Sequence, residues 1–218
     1  MIQTMTITDA LAQEMDLLAK AAADPSQKHI LFWQSNQALV APRKLSSNPE
    51  FARAEAALAT LGWPVHTRAT GGDVTPQGPG IVNVSLIYAS HGPPDIDATY
   101  DTLCTPMERT LGPNATRGWN PGAFCDGAYN VQWQGKKFAG TAQRLKRCKN
   151  SDRSAVLAHA LMLMSPPSKD AIDALNLFLE ILGEPRRIDA NCHTGLPSGL
   201  TQSGFIQDLA AAYKAALP

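Results

Sequence analysis

Long apolar runs are missing from this sequence. No stretch approaches the roughly 18 consecutive apolar residues that a membrane-spanning helix needs. The first twenty residues carry Asp9, Glu14 and Asp16 and no apolar block, so no secretory signal is expected there. Charge of one sign is missing too: 19 Lys and Arg balance 19 Asp and Glu. Zero formal net charge gives no global basic field for nucleic acid or anionic lipid. Cysteine is scarce. The four present, Cys104, Cys125, Cys148 and Cys192, include no C-x-x-C pair, which argues against a structural zinc site. These absences lead us to expect a cytoplasmic protein with free thiols, no metal, and neither nucleic acid nor membrane as partner. What the chain does have is apolar side chain, 44% of 218 residues, enough for a substantial core in one domain.

The order of elements is legible from periodicity and caps. Thr6 and Asp9 read as a helix start, followed by Ile7, Leu11, Met15 and Leu18 at helical spacing. Ile30 to Val40 reads as two short strands interrupted at Gln34 to Gln37. Asn48 and Pro49 read as the cap and first position of a helix that Gly62 and Pro64 stop. Short strands are expected at Val65 to Arg68 and Ile81 to Tyr88, then a helix from Ile96 to Leu111 that Pro106 should break or kink. Tyr129 to Trp133, Gln134-Gly135 and Lys136 to Ala142 read as a hairpin in which Gly135 supplies a positive φ. A strand at Val156 to Met164, a helix at Ser168 to Leu182, a strand at Arg187 to Ala190 and a final helix from about Ser203 complete the chain. Without a regular βαβ rhythm, this predicts an α+β fold with a mixed, largely antiparallel sheet flanked by helices. Trp33, Trp63, Trp119 and Trp133 read as core or pocket wall, and His159 as a hydrogen-bonded core histidine.

Two segments stand out chemically. Between two strands, Arg68-Ala69-Thr70-Gly71-Gly72-Asp73-Val74-Thr75-Pro76-Gln77-Gly78-Pro79-Gly80 concentrates glycine. Glycine lets a ligand come close to the backbone, and successive N–H groups can bind an anion or a polarised carbonyl. Further on, Gly135-Lys136-Lys137-Phe138-Ala139-Gly140-Thr141-Ala142-Gln143 sets a lysine on a hairpin arm followed by small residues, which leave room beside an ammonium group. Taken alone, the first is also an ordinary strand connection, and the second a lysine pair on an edge strand kept charged against mispairing. The wider cluster of Lys136, Lys137, Arg144, Lys146, Arg147 and Lys149 reads as a solvated hairpin and loop.

In this order the two motifs, RxTGG(D)VTxxGPG and GKKxAGTAQR, resemble the biotin/lipoate A/B protein ligase superfamily. This is the catalytic domain of lipoate–protein ligase A and of octanoyltransferases. The resemblance runs from the first helix to about Leu196 and extends to Ser154-Ala155-Val156-Leu157-Ala158-His159-Ala160. It implies an enzyme that places a lipoyl or octanoyl group on a lysine of a lipoyl-carrier domain, with residues 1–218 as a single catalytic domain lacking a C-terminal accessory domain. It carries the catalytic lysine onto Lys137 and substrate binding onto Arg68, Thr70, Gly71, Gly72, Asp73, Gly78, Gly80, Gly140, Thr141 and Ala142.

The family contains two chemistries, and both stay open at this stage. A ligase activates free lipoate with ATP and Mg²⁺ to an acyl adenylate. A transferase takes the acyl group from a donor such as acyl carrier protein onto a cysteine. The stretch from Gly71 to Gly80 is closer to the transferase pattern, with Gln77 and Pro76 where that pattern has histidine and an aromatic. Two cysteines match transferase nucleophile positions: Cys192, flanked by Asn191 and His193 in place of proline and glycine, and Cys125, near the locus of a second transferase branch. On the first match, Cys192 should lie within a few ångströms of Lys137 and Cys125 farther off. Asp73 bears on the choice. A carboxylate about 4 Å from a phosphate costs about 1 kcal/mol in water and about 4 at an effective dielectric near 20, which disfavours an adenylate unless a metal or arginine intervenes. An alternative from another class is a non-catalytic lipoate or acyl-binding protein on the same scaffold.

Overall fold

The computed structural model describes residues 1–149 and 151–217. Its elements are β1 (Gln3–Thr4), α1 (Ile7–Ala23), β2 (His29–Gln34), β3 (Ala38–Pro42), α2 (Phe51–Thr60), β4 (Val65–Arg68), β5 (Thr75–Gln77), β6 (Ile81–Ala89) and α3 (Ile96–Leu111). They continue with β7 (Ala115–Arg117), β8 (Val131–Trp133), β9 (Lys136–Arg147), β10 (Ser154–Leu163), α4 (Lys169–Ile181) and α5 (Gln202–Ala216). Seven strands form one sheet in the order β1-β2-β6-β10-β9-β8-β7, and β4-β3-β5 form a small second sheet. The β1–β2 and β3–β4 pairs are parallel and the rest antiparallel. The fold is the expected α+β arrangement. No helix among the described residues is long and apolar enough to cross a membrane.

The central strands β6 and β10 are buried on both faces, and their alternation sorts the helices. Val82, Val84, Leu86 and Tyr88, with Val156, Ala158, Ala160 and Met162, pack under α3 and α5. On the opposite face Ile87, Ala89, Ala155 and Leu157 receive α1, while Ile81, Leu161 and Leu163 meet the small sheet, α2 and α4. Side chains cap the helices: Thr6 Oγ1 accepts from Asp9 N at 3.1 Å, Ser168 Oγ from Ala171 N at 3.2 Å, and Thr201 Oγ1 from Gly204 N at 3.2 Å. The β8–β9 hairpin turns on Gln134 (φ 51) and Gly135 (φ 74), the paired positive φ of a two-residue turn.

Four local expectations need correction. Helix α2 starts at Phe51, because Asn48 Oδ1 accepts from Glu50 N at 2.9 Å and closes a turn ahead of the helix. Helix α3 runs through Pro106, where one lost hydrogen bond is outweighed by burial of Leu103, Met107 and Leu111 on either side. Arg187 to Ala190 is not a strand. Asp189 instead caps a short 3-10 turn, Ala190–Cys192. Trp33 and Trp63 are buried, but Trp119 is 65% exposed on the loop after β7.

Candidate active site

β9 supplies the centre of the site. Its second residue, Lys137, is fully buried, and its Nζ donates to the carbonyls of Phe124 and Cys125, both at 2.6 Å. Nζ also lies 5.0 Å from the centre of the Phe124 ring. Gly140 makes this fold-back possible: a Cβ there would stand 2.9 Å from Nζ and 3.0 Å from Cε. Burial pushes the Lys137 ammonium down to about 8, partly offset by negative charge at Cys125, Asp126 and Asp73. Lys136, one residue earlier, is exposed, as are Arg144, Lys146, Arg147 and Lys149.

Cys125 belongs to the loop between β7 and β8. Asp126 Oδ1 fixes that loop by accepting from Asn120 N at 2.6 Å and Asn130 Nδ2 at 2.9 Å. Cys125 itself takes φ 44, a left-handed conformation uncommon for a side chain of this kind. Its sulfur accepts the N–H of Asp73 at 3.2 Å. Gly72 (φ +90) passes so close that a Cβ there would lie 2.9 Å from this sulfur and 3.1 Å from Arg68 Nη2.

Arg68 organises the glycine loop from beneath. Nη1 donates to Val40 O at 2.8 Å, and Nη2 donates to Gly71 O at 3.0 Å and Asp73 O at 2.7 Å. Burial lowers its pKa, opposed by the charges of Cys125 and Asp73. The Asp73 carboxylate turns away to Arg186 and to Val74 N.

Cys125 lines a narrow, mainly apolar cavity. Gly140, Thr141 and Ala142 form one wall, with Leu11, Trp33 and Leu161 further in. Polar residues in this wall bond to each other. Gln77 and Asn83 exchange amide bonds at 3.0 and 2.8 Å. Trp33 Nε1 and His159 Nδ1 both turn to the buried carboxylate of Glu14, at 3.3 Å each, and Ser85 Oγ donates to it at 2.5 Å. Glu14 is held below the usual carboxylate range: its burial acts upward, but the charge and hydrogen bond of His159 and the bonds from Ser85 and Trp33 outweigh it. With its polar atoms satisfied this way, the wall offers mainly hydrocarbon to a ligand.

The remaining sequence candidates sit elsewhere. Gly78 packs on the backbone of Gln37 and Gly80 against the Ser165 hydroxyl; neither lines this cavity. Thr70 Oγ1 is buried with no partner among the described residues. Cys192 is not in the cavity wall. Its thiol donates to Pro121 O at 3.3 Å, and a Cβ on Gly122 would lie 3.0 Å from it. Burial and the Asp189 charge raise its pKa, and the lysine it feels is Lys136. The geometry therefore brings together Lys137, Cys125 and the loop from Arg68 to Asp73, with Cys192 to one side.

Sequence reasoning missed the pairing of His193 with Phe124. The two rings stack at 4.6 Å, and His193 Nε2 accepts from Phe124 N at 3.2 Å. Thr194 N donates to Lys137 O at 2.9 Å, so the segment after Cys192 buttresses β9. Burial and the nearby Lys137 charge push His193 down to about 4. The aromatic residue just before Cys125 was the one signal in the sequence for this support.

A mixed sheet that holds a buried lysine beside a thiol-bearing residue in the wall of an apolar cavity has the make-up of an enzyme domain. Residues 6–198 match the lipoyl protein ligase A/B catalytic domain, and the chain belongs to that family of enzymes. An uncharacterized protein of Cupriavidus necator is 34% identical over 95% of this chain and 87% of its own length. An octanoyl-[GcvH]:protein N-octanoyltransferase of Kyrpidia tusciae is 35% identical over 62% of this chain and 49% of its own. The match thus spans about half the length of that octanoyltransferase. Among solved structures, lipoate-protein ligase A bound with ATP superposes with TM-score 0.71 at 15% identity, covering 99% of this chain and 83% of that one, a likeness of fold.

Proposed function

We propose that this protein is an acyltransferase that moves an octanoyl or lipoyl group onto a lysine of a lipoyl-carrier domain through a thioester on Cys125. The observation that carries the reading is the placement of Cys125. The residue lines the cavity, its sulfur accepts a loop N–H at 3.2 Å, and its carbonyl receives the Lys137 ammonium. The octanoyltransferase relative adds support through its name, which gives an octanoylated carrier as donor and a protein as acceptor.

The chemistry follows from these groups. The Cys125 thiolate attacks the donor carbonyl, an S–acyl bond forms, and the bond to the donor's sulfur or nitrogen breaks as that leaving atom takes a proton. Loop N–H groups stabilise the oxyanion. The acceptor amine then attacks the thioester, the C–S bond breaks, and the amine gives up a proton as the amide forms. Lys137, at about 8, reaches both protonation states near neutral pH, as a proton shuttle must. Cys192 remains the alternative nucleophile of the other transferase branch.

A second reading, the ATP-dependent ligase, draws support from one contact. Arg186 neutralises Asp73, which relieves the clash between that carboxylate and a phosphate. The test is incubation with an octanoylated carrier domain, or octanoyl acyl carrier protein, and a lipoyl-domain acceptor. Transfer without ATP is the expected result. Transfer only with ATP, Mg²⁺ and free acid would establish the ligase, and no transfer in either case would favour a binding protein.

A further inference from the structure

A second cavity, of about 540 Å³ including its mouth and termed the outer chamber, is also lined by Cys125. The first, inner cavity and this one share Cys125, Thr141 and Ala142, so both reach the same residue. The outer chamber runs beside β9 past Ala139, where β9 has no partner strand on its β8 side. Two features of its lining are unlike those of the inner one. Tyr100 and Tyr129 stack face to face, with centroids 3.8 Å apart and planes 10° apart. Gln143 donates from Nε2 to Ile96 O at 3.4 Å, which leaves its Oε1 buried with no donor among the described residues. A buried acceptor without a donor carries a standing cost that a ligand N–H would remove.

We infer that the outer chamber is the channel for the lysyl arm of the carrier domain, and that Gln143 Oε1 receives an N–H from the reacting nitrogen of that arm. The inference rests on the Cys125 thioester reading and deepens it. A lysyl arm has an apolar stem of four methylenes and a nitrogen at its tip. The stacked tyrosines give the stem an aromatic wall, and the orphan oxygen gives the nitrogen its acceptor. An amine that donates one N–H to a fixed acceptor has its lone pair oriented, and here the partner to be attacked is the acyl carbon on Cys125. In the reverse direction the same oxygen holds the amide N–H of an acylated lysine. One channel thus serves both donor and acceptor when each is a carrier lysine. A thioester donor has no N–H at its reacting atom and gains nothing from Gln143.

That asymmetry is the test. The full chain and its Gln143→Leu variant are acylated with the S-ethyl thioester of octanoic acid, and the acyl-enzyme is followed by mass and by hydroxylamine lability. Each is then mixed with a lipoyl-carrier domain. Acyl-enzyme formation should stay within about 3-fold of the unaltered chain. Transfer to the carrier lysine should fall roughly 10- to 100-fold, the worth of one hydrogen bond to the reacting nitrogen. Gln143→Glu, which keeps an acceptor oxygen, should recover most of that transfer. Normal transfer by Gln143→Leu, or an equal fall in both half-reactions, overturns the channel assignment alone. Failure of the unaltered chain to form any acyl-enzyme overturns the thioester reading and the channel with it.

Discussion

Cys125 and Cys192 lie in the same corner of the molecule, and Cys192 had the fuller family resemblance. Their surroundings differ. Cys125 is held in a left-handed bend, receives an N–H on its sulfur and has the buried ammonium of Lys137 on its own carbonyl. Cys192 is partly exposed, donates its thiol to Pro121 O, and feels the opposed charges of Asp189 and Lys136. The Cys125 sulfur faces a donor N–H, with the Lys137 ammonium on the carbonyl of the same residue, whereas the Cys192 sulfur faces a carbonyl oxygen. The comparison teaches that a nucleophile is better recognised by what faces its sulfur than by the residues beside it in sequence.

The strongest way to break this contrast is to remove each sulfur in turn. Cys125→Ala should abolish the hydroxylamine-labile acyl-enzyme and lower transfer by about 10³-fold or more, while Cys192→Ala should stay within about 3-fold. Label lost in Cys192→Ala and kept in Cys125→Ala would reverse the assignment. Next comes the lysine pair. Lys137→Ala should cost about 10²- to 10⁴-fold in transfer with the circular dichroism spectrum unchanged, and Lys136→Ala less than about 2-fold. Equal losses in the two variants would show that burial does not distinguish them.

The contrast is sharpened at Gly72, whose positive φ and proximity to the Cys125 sulfur leave no room for a branched side chain. Gly72→Val should lose acylation by at least about 10-fold and destabilise the fold by roughly 1–3 kcal/mol, read by chemical denaturation. Acylation at the normal rate would mean that the loop does not govern access to the sulfur. The last prediction concerns His193, on the Cys192 side, and bears on stability rather than on transfer. Its folded pKa, about 4, lies below the ordinary histidine value of 6.5, so between these values the unfolded chain takes up a proton that the native state refuses. Stability should therefore fall as pH drops through 6.5 towards 4, by on the order of 2–3 kcal/mol, and His193→Phe should flatten this part of the curve. Denaturation midpoints at pH 7, 5.5 and 4.5 decide it.

The elements that were legible in the sequence are those written locally. The Gln134-Gly135 turn, the caps at Thr6 and Ser168, and the alternating faces of β6 and β10 each need only a few neighbouring residues. The approximate setting of Lys137 was legible as well, because the hairpin that carries it is local. What lay outside local reading is contact over distance. Asp73 N reaches the Cys125 sulfur across 52 positions, and Arg186 reaches Asp73 across 113. Nothing near Asp73 announces which arginine will neutralise it, so that possibility could be stated but not assigned to Arg186. The strand expected before Cys192 failed for the opposite reason. Its apolar alternation is weak, and the Asp189 side chain offers the backbone a competing turn.

The absent side chain of Gly140 has a consequence for how this site can change over generations. Lys137 lies folded back over the gap that glycine leaves, with its ammonium where a methyl group would have to go. The two positions therefore behave as one heritable unit. A change from glycine to alanine at 140, among the mildest in the genetic code, acts on the lysine itself, because the added methyl group forces the end of the Lys137 side chain to shift from its place on the carbonyls of Phe124 and Cys125. A lineage that kept the lysine but replaced the glycine would retain the motif by eye and lose the arrangement it stands for.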